Sequence, residues 1–471
     1  MFRVENTGYR AALEVVQRLH RAGFQAVLAG GCVRDLLLGV AAKDWDVATS
    51  ALPGQVQALF ANSQAIGAHF GVIQVVAEVE GERVSTEVAT FRQDGSYSDG
   101  RRPDAVQYST SAQEDVARRD FTLNGLLLDI APFEAGQRLE ACVLDYCGGV
   151  ADLRAGVVRA IGDPSRRFAE DKLRLLRAVR FAARFDFRIE SATFAAMQQA
   201  AASIDAVSSE RVREELTRIL TQGNARRGFE LLESSGLLRH VLPEVAALRG
   251  VAQPPQFHPE GDVWTHTLML LEHLPAGASA TLAWGMLLHD VGKPLTFTPA
   301  DPRKPGDRIR FNGHAERGVE LARAICNRLK FSNEDKEQVL ALIAHHMQFA
   351  DVPRMKQSTL KRFLRLPHFE EHLALHYADV RSSNGMLGAY EYARQHFEQM
   401  GKDEVRPPLL LTGSDLIAAG YRPGSEFRFM LEAAEDAQLE GRVHSTEEAL
   451  ALVKKRFGDA KRAVSQSKTT A

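Results

Sequence analysis

At 471 residues the chain exceeds what one hydrophobic core comfortably organises, so two to four structural units are expected. Hydrophobic residues make up 45% and charged residues 25%, ordinary for a globular chain in water, and no apolar run is long enough to span a bilayer. A net charge of -2 gives no whole-molecule attraction to nucleic acid, so an RNA partner would have to meet a local basic surface. The start, "MFRVENTGYRAALEVV", lacks the basic-then-apolar pattern of a secretory leader. Cys32, Cys142, Cys147 and Cys326 have neither metal-ligand nor disulfide-framework spacing, which favours a reducing cytoplasm.

In chain order, "GYRAALEVVQRLHRAG" predicts an amphipathic helix ended by Gly23, and "FQAVLAGG" a strand running into glycines. "KDWDVAT", "FGVIQVVAEV" and "RVSTEVATF" alternate or carry β-branched residues and predict strands. "RQDGSYSDGRRPD" is polar and glycine-rich, the pattern of a long loop. From residue 165 onward helical periodicity dominates, with breaks at "AQPPQFHPEGD" and "ADPRKPGDR". The closing "KRAVSQSKTTA" has the composition of a frayed end.

In "KDWD", strand alternation would send Asp44 and Asp46 to one face, where their like charges repel unless water screens them or a cation sits between them. The preceding "GGCVRDLLLG" favours the cation. Gly30 and Gly31 let backbone approach a phosphate at a helix start, and Arg34 stands one turn in, facing an anion. Paired carboxylates are the hard oxygen ligands Mg²⁺ takes, and two such ions can activate a hydroxyl and stabilise a leaving phosphate oxygen. Glu87 is the candidate third carboxylate; a solvent-facing strand glutamate is the alternative.

Two further segments supply other contacts. In "ARRDFTLNGLLLD" an arginine of the Arg118–Arg119 pair could neutralise a triphosphate and Asp120 accept from a ribose hydroxyl, unless the triplet only caps a helix. "RRFAEDKLRLLRAVRFAARFDFRIE" is read as one helix with Glu170, Arg174 and Arg177 on a stripe bordered by Asp171 and Arg180. Intrahelical salt bridges on a wet face are the bland account. If Asp171 and Arg174 share a pocket, they offer an acceptor beside a donor. That complements the Watson–Crick edges of cytosine and adenine and mismatches guanine and uracil, with Glu170 holding the guanidinium in plane.

These segments, with "SSERVREELTRIL", resemble the bacterial-type (class II) tRNA nucleotidyltransferases, the CCA-adding enzymes, and the related bacterial poly(A) polymerases; they occur in that family's order across residues 24–220. The resemblance implies an α+β chain: a polymerase-β-like mixed-sheet head over residues 1–150, then all-α neck (151–250), HD-type body (251–400) and tail (401–471). It implies Asp44 and Asp46 as Mg²⁺ ligands and catalytic residues. Gly31, Arg34 and Arg119 would contact the nucleotide, with Asp120 near the ribose. Asp171, Arg174, Arg177 and Arg180 would form the base-reading and phosphate-contacting helix. Lys172 and Gly125 depart from the family's usual proline and alanine. "RQDGSYSDGRRPD" looks like the family's flexible loop needed for the terminal adenosine, and "AIGAHFGVIQV" lacks the basic pattern of the poly(A) branch.

Downstream, His266, His289, Asp290 and Asp379 fit the H…HD…D order of the HD phosphohydrolase superfamily. His314 and either His345 or His346 are candidates for a second divalent metal, and Lys293 in "HDVGKP" could meet phosphate charge. The expectation is therefore CCA addition to tRNA from CTP and ATP in the cytoplasm, with a possible phosphohydrolase activity of the HD part. The rivals are a poly(A) polymerase and an HD phosphohydrolase with a nucleotide-sensing head. No signal for an oligomeric state is present.

Overall fold

The computed structural model describes residues 6–67, 71–94, 106–399 and 408–459. It divides into two compact units, one of Met1–Ala247 with Pro275–Gly277 and Ile325–Phe331, the other of Leu248–Leu274, Ala278–Ala324 and Ser332–Ala471.

The first unit is built on a seven-stranded mixed sheet in the order β3-β4-β5-β2-β1-β8-β9. Its strands are β1 (Ala26–Ala29), β2 (Val47–Thr49), β3 (Ser63–Gly67), β4 (Val72–Val79), β5 (Glu82–Thr90), β8 (Leu126–Leu128) and β9 (Val143–Asp145). β6 (Arg92–Asp94) and β7 (Val106–Tyr108) pair separately. β2 runs parallel to β5 with Val47 opposite Val88, while the other neighbours in the large sheet are antiparallel. β1 and β8 are buried along their whole length, which is why they read as continuous apolar runs. Helix α1 (Thr7–Arg21) starts where the Asn6 side chain accepts from Gly8 N at 2.7 Å, and buries Ala11, Ala12, Val15, Val16 and Leu19 as one face. Helix α2 (Gly31–Leu37) follows β1 directly, so the glycine pair sits at the strand's end.

Two expectations are corrected. Only Val47–Thr49 of "KDWDVAT" pairs as strand; Asp44 and Asp46 sit on the extended lead-in, where Asp46 O accepts from Ala29 N at 3.0 Å. The expected side-chain alternation survives, because Trp45 is buried edge-on against Tyr9 while Asp44 is exposed. The segment read as one helix from residue 166 is two, Pro164–Glu170 and Arg174–Phe185. Asp171 ends the first in an extended conformation (φ -138°, ψ 105°), and its Oδ1 accepts from Leu173 N at 3.1 Å, a local side-chain bond that competes with helix continuation.

The second unit is helical in its secondary structure. Helices Val263–Glu272, Asn333–His345 and Phe369–Arg381 carry His266, His345 and Asp379, His314 starts helix His314–Arg328, and His289, Asp290 and His346 follow directly on the ends of Ala280–Leu288 and Asn333–His345. Residues from Leu411 to Val453 gather a cluster of their own around Leu416, Tyr421, Met430 and Val453. The loop "RQDGSYSDGRRPD" lies, from residue 95 on, outside the described residues. Among the described residues no helix is long and apolar enough to cross a membrane.

Candidate active site

A cavity of about 610 Å³ opens in the first unit at the ends of β1 and β2. Gly31, Arg34, Asp44, Asp46, Arg119 and Asp120 from the head and Asp171, Arg174, Arg177 and Arg180 from the region after it all line it, together with Glu87. The parallel register of β2 and β5 puts Glu87 across from the aspartate pair. Burial, then Glu87 and then Asp44, push the Asp46 carboxyl up to about 6, against the opposing pull of Arg119. Two carboxylates that raise the proton affinity of a third, buried one, with the pull of Arg119 too weak to reverse it, suit a divalent cation.

This sets a pH dependence. A carboxyl whose pKa is raised on folding costs stability as pH rises from the ordinary carboxylate range through about 6. Mg²⁺ held by these oxygens should relieve that cost. The melting temperature is expected to rise on adding Mg²⁺ at pH 8 by more than at pH 5, and equal shifts at both would count against a metal at Asp46.

The anion-facing wall is pre-positioned. Gly30 adopts φ +75°, and a Cβ there would come within 3.1 Å of the Arg119 guanidinium, so only glycine fits easily. Arg34 donates to Asp35 at 2.8 Å and to Asn124 Oδ1 at 2.5 Å, and lies 4.8 Å over the Phe185 ring. Arg118 and Arg119 share Asp115, at 2.6 and 2.9 Å. Asp120 is buried, which alone would raise its pKa; Arg177, Arg174 and the Asn124 amide instead hold it at about 2. Its oxygens accept from Arg177 Nε at 2.8 Å, Asn124 Nδ2 at 3.1 Å and Phe121 N at 2.8 Å, so in this structure Asp120 positions Arg177. Arg180 pairs with Glu215 at 3.1 Å beneath the Phe181 ring system.

The Glu170 carboxylate accepts from Arg174 Nη1 at 2.8 Å and from Arg167 at 2.8 Å; Arg174 also donates to the carbonyls of Arg167 and Arg118. Asp171 accepts from Arg211 at 3.0 and 3.2 Å. Arg211, Arg184 and Asn124 line the cavity and were not singled out from the sequence. Arg211 lies within "SSERVREELTRIL", so the motif was visible, but nothing local says that one of its arginines reaches back 40 residues. The departure Gly125 has a packing reason, since a Cβ there would stand 2.7 Å from Cys147 Sγ.

In the second unit His266, His289, Asp290 and Asp379 converge. His266 Nε2 lies 3.1 Å from Asp379 Oδ1 and 3.8 Å from Asp290 Oδ2, and His289 Nε2 lies 3.1 Å from Asp290 Oδ2. The inner nitrogens of His266 and His289 are buried without a hydrogen bond, which suits a metal ligand. Glu260 orients His266, accepting from Nδ1 at 2.8 Å. Between the two candidates left open by the sequence, His346 rather than His345 faces His314 and Asp290. Burial and nearby His289 push His346 down to about 4, leaving a neutral imidazole. Lys293 bonds Asp290 at 2.7 Å. Gly292 is required by closeness, because a Cβ would meet the His314 carbonyl at 2.1 Å.

Sequence profiles match a poly A polymerase head domain over residues 26–159, a probable RNA and SrmB-binding site of polymerase A over 186–248, and an HD domain over 262–372. The fold and the two sites thus define a nucleotidyltransferase head joined to an HD domain. The multifunctional CCA protein of Burkholderia cenocepacia (strain HI2424) is 35% identical over 370 residues, which span 76% of this chain and 85% of the relative. A CCA-adding enzyme of Latilactobacillus sakei subsp. sakei (strain 23K) is 34% identical over 60% of this chain and 69% of its own length. The Bacillus stearothermophilus CCA-adding enzyme, solved in complex with CTP, superposes with a TM-score of 0.71 at 26% identity, covering 97% of this chain and 100% of that one. The chain belongs to the CCA-adding enzyme family.

Proposed function

We propose that this chain adds C, C and A to tRNA 3′ ends, taking CTP and ATP without a template, in the cytoplasm. The observation that carries the reading is the meeting, in one cavity, of the Asp44–Asp46–Glu87 carboxylates, the arginine wall and the Asp171–Arg174 pair. The relatives named above are CCA-adding enzymes, one of them solved with CTP. Chemically, the tRNA 3′ hydroxyl loses its proton and forms a bond to the α-phosphorus of the nucleotide. The bond from that phosphorus to the bridging oxygen breaks, and pyrophosphate leaves.

Asp44 and Asp46, with Glu87, would hold Mg²⁺, which supplies hydroxyl activation and charge neutralisation when bound. The residues' own work is positional. Arg34 and Arg119, pinned by Asp35, Asn124 and Asp115, would face the triphosphate, with Gly31 opening the approach. Arg177 and Arg180, pinned by Asp120 and Glu215, would complete that wall. Asp171 and Arg174 would read the base edge. Residues 151–250 would serve as neck and RNA-binding region, 251–400 as body and 401–471 as a tail supporting the tRNA, which should be held through backbone and shape, hence weakly at high salt.

The deciding experiment is the product. With a tRNA lacking its end, CTP followed by ATP is expected to give defined C, C, A addition that stops. Long untemplated A-tails without C incorporation would favour a poly(A) polymerase instead. A second activity is supported by the HD cluster: His266, His289, Asp290 and Asp379 would hold a divalent metal for phosphoester hydrolysis, with Lys293 facing the phosphate.

A further inference from the structure

We propose that Gln253 is a positioning residue for Lys293, its amide oxygen holding the ammonium at the edge of the histidine–aspartate centre, where a phosphate bound there would meet it. The inference rests on the reading of that centre as a phosphohydrolase site.

Gln253 stands in the break "AQPPQFHPEGD", outside any helix or strand. Its backbone is fixed on both sides: Val251 O accepts from Val263 N at 3.0 Å, and Pro254 O accepts from His258 N at 3.0 Å. The proline that follows also disfavours helical geometry at Gln253, so the side chain leaves a rigid segment. The residue is 4% exposed, deep for a glutamine, and its Oε1 accepts from Lys293 Nζ at 2.7 Å. An ammonium only donates, so this contact decides which end of the amide faces the lysine. It leaves Nε2 buried without a hydrogen bond among the described residues. An orphaned amide at such depth costs the fold stability, and a methionine of similar shape would avoid that cost. What a methionine could not do is accept a strong hydrogen bond from Lys293.

Lys293 shows why an acceptor is needed there. Of its three N–H donors one goes to Gln253 and one to Asp290 Oδ2 at 2.7 Å, and the Phe311 ring presents its face at 5.3 Å. Asp290 Oδ2 also lies 3.1 Å from His289 Nε2, so a cation ligated by these two residues would share the oxygen that holds the ammonium. Repulsion between the two positive charges would loosen the lysine's bond to Asp290. Gln253 is a neutral acceptor belonging to neither ligand, so its hold on Lys293 is independent of that competition. The ammonium then stays at the centre with N–H donors available to a phosphate oxygen.

The test uses the full-length chain carrying Asp44→Ala and Asp46→Ala, which removes the head's metal ligands, loaded with Mn²⁺ and titrated with inorganic phosphate. Mn²⁺-enhanced ³¹P relaxation then reports phosphate held beside the second unit's cation. Gln253→Met is expected to weaken phosphate binding about tenfold, the size of one hydrogen bond to a charged group, with Mn²⁺ content and melting temperature unchanged. Lys293→Met should weaken it at least as much. Adding Gln253→Met to Lys293→Met should change nothing further, because a positioning residue acts only through the group it positions. Unaltered phosphate affinity in Gln253→Met, or a further loss on top of Lys293→Met, would overturn the proposal. So would a Gln253→Met protein that sheds Mn²⁺ or melts early, since its role would then be structural. A parent chain whose Mn²⁺ leaves ³¹P relaxation unchanged would instead overturn the phosphohydrolase reading itself.

Discussion

Asp46→Asn is expected to lower CTP and ATP incorporation by about a thousandfold or more while making the metal-free protein more resistant to heat at pH 8. The two effects share one cause. Burial, Glu87 and Asp44 together raise the Asp46 proton affinity, so the folded protein keeps at this position a charge that its surroundings disfavour. Asparagine has the same shape and no charge, so the repulsion vanishes. The hard anionic oxygen that a catalytic cation requires vanishes with it, and losing a metal ligand at a phosphoryl-transfer centre is worth roughly 4 kcal/mol of barrier or more. Incorporation kinetics on a tRNA lacking its end, beside a melting curve, check both at once. Retained incorporation within tenfold of wild type would take Asp46 out of the metal site. Asp44→Ala combined with Asp46→Ala separates a rival class as well: an HD phosphohydrolase with a nucleotide-sensing head would keep its main activity.

Much of this site was readable because its parts are local. A glycine pair ending a strand, alternating aspartates and an R-R-D triplet each act over a few residues, and neighbouring strand pairing brings the first two together. What local pattern does not encode is which long side chain is claimed by which partner. Asp120 could be named as a ribose acceptor, but its oxygens are engaged by Arg177, 57 residues downstream, and by Asn124 and Phe121. Periodicity also carried one helix through Asp171, because the arginines on either side keep helical spacing across the break. The HD histidines show the same limit. Adjacent His345 and His346 are equivalent on paper, and they separate only because the chain leaves its α-helix at His345 and turns His346 towards His314.

Arg174→Ala is expected to keep catalysis of the chemical step but relax base choice, raising UTP and GTP use relative to CTP and ATP by about ten- to a hundredfold. The reason is how tightly both members of the reading pair are fixed. Arg174 is held by the Glu170 carboxylate and by the carbonyls of Arg167 and Arg118, none of them on the nucleotide. Asp171 is held by Arg211 and by the backbone N–H of Leu173. A donor and an acceptor fixed in this way reject a base whose edge has the opposite order, because the mismatch leaves buried groups unpaired at about 1–3 kcal/mol each. Truncating Arg174 removes the donor, while Glu170 stays bonded to Arg167, so the mismatch no longer costs what it did. Arg174→Lys should not rescue, since an ammonium cannot span three planar contacts as a guanidinium does. Arg211→Met should act in the same direction more weakly, through a loosened Asp171, with kcat for the correct nucleotides falling less than selectivity. Competition assays with all four nucleotides give the ratio directly, and selectivity unchanged in Arg174→Ala would remove this pair from base reading.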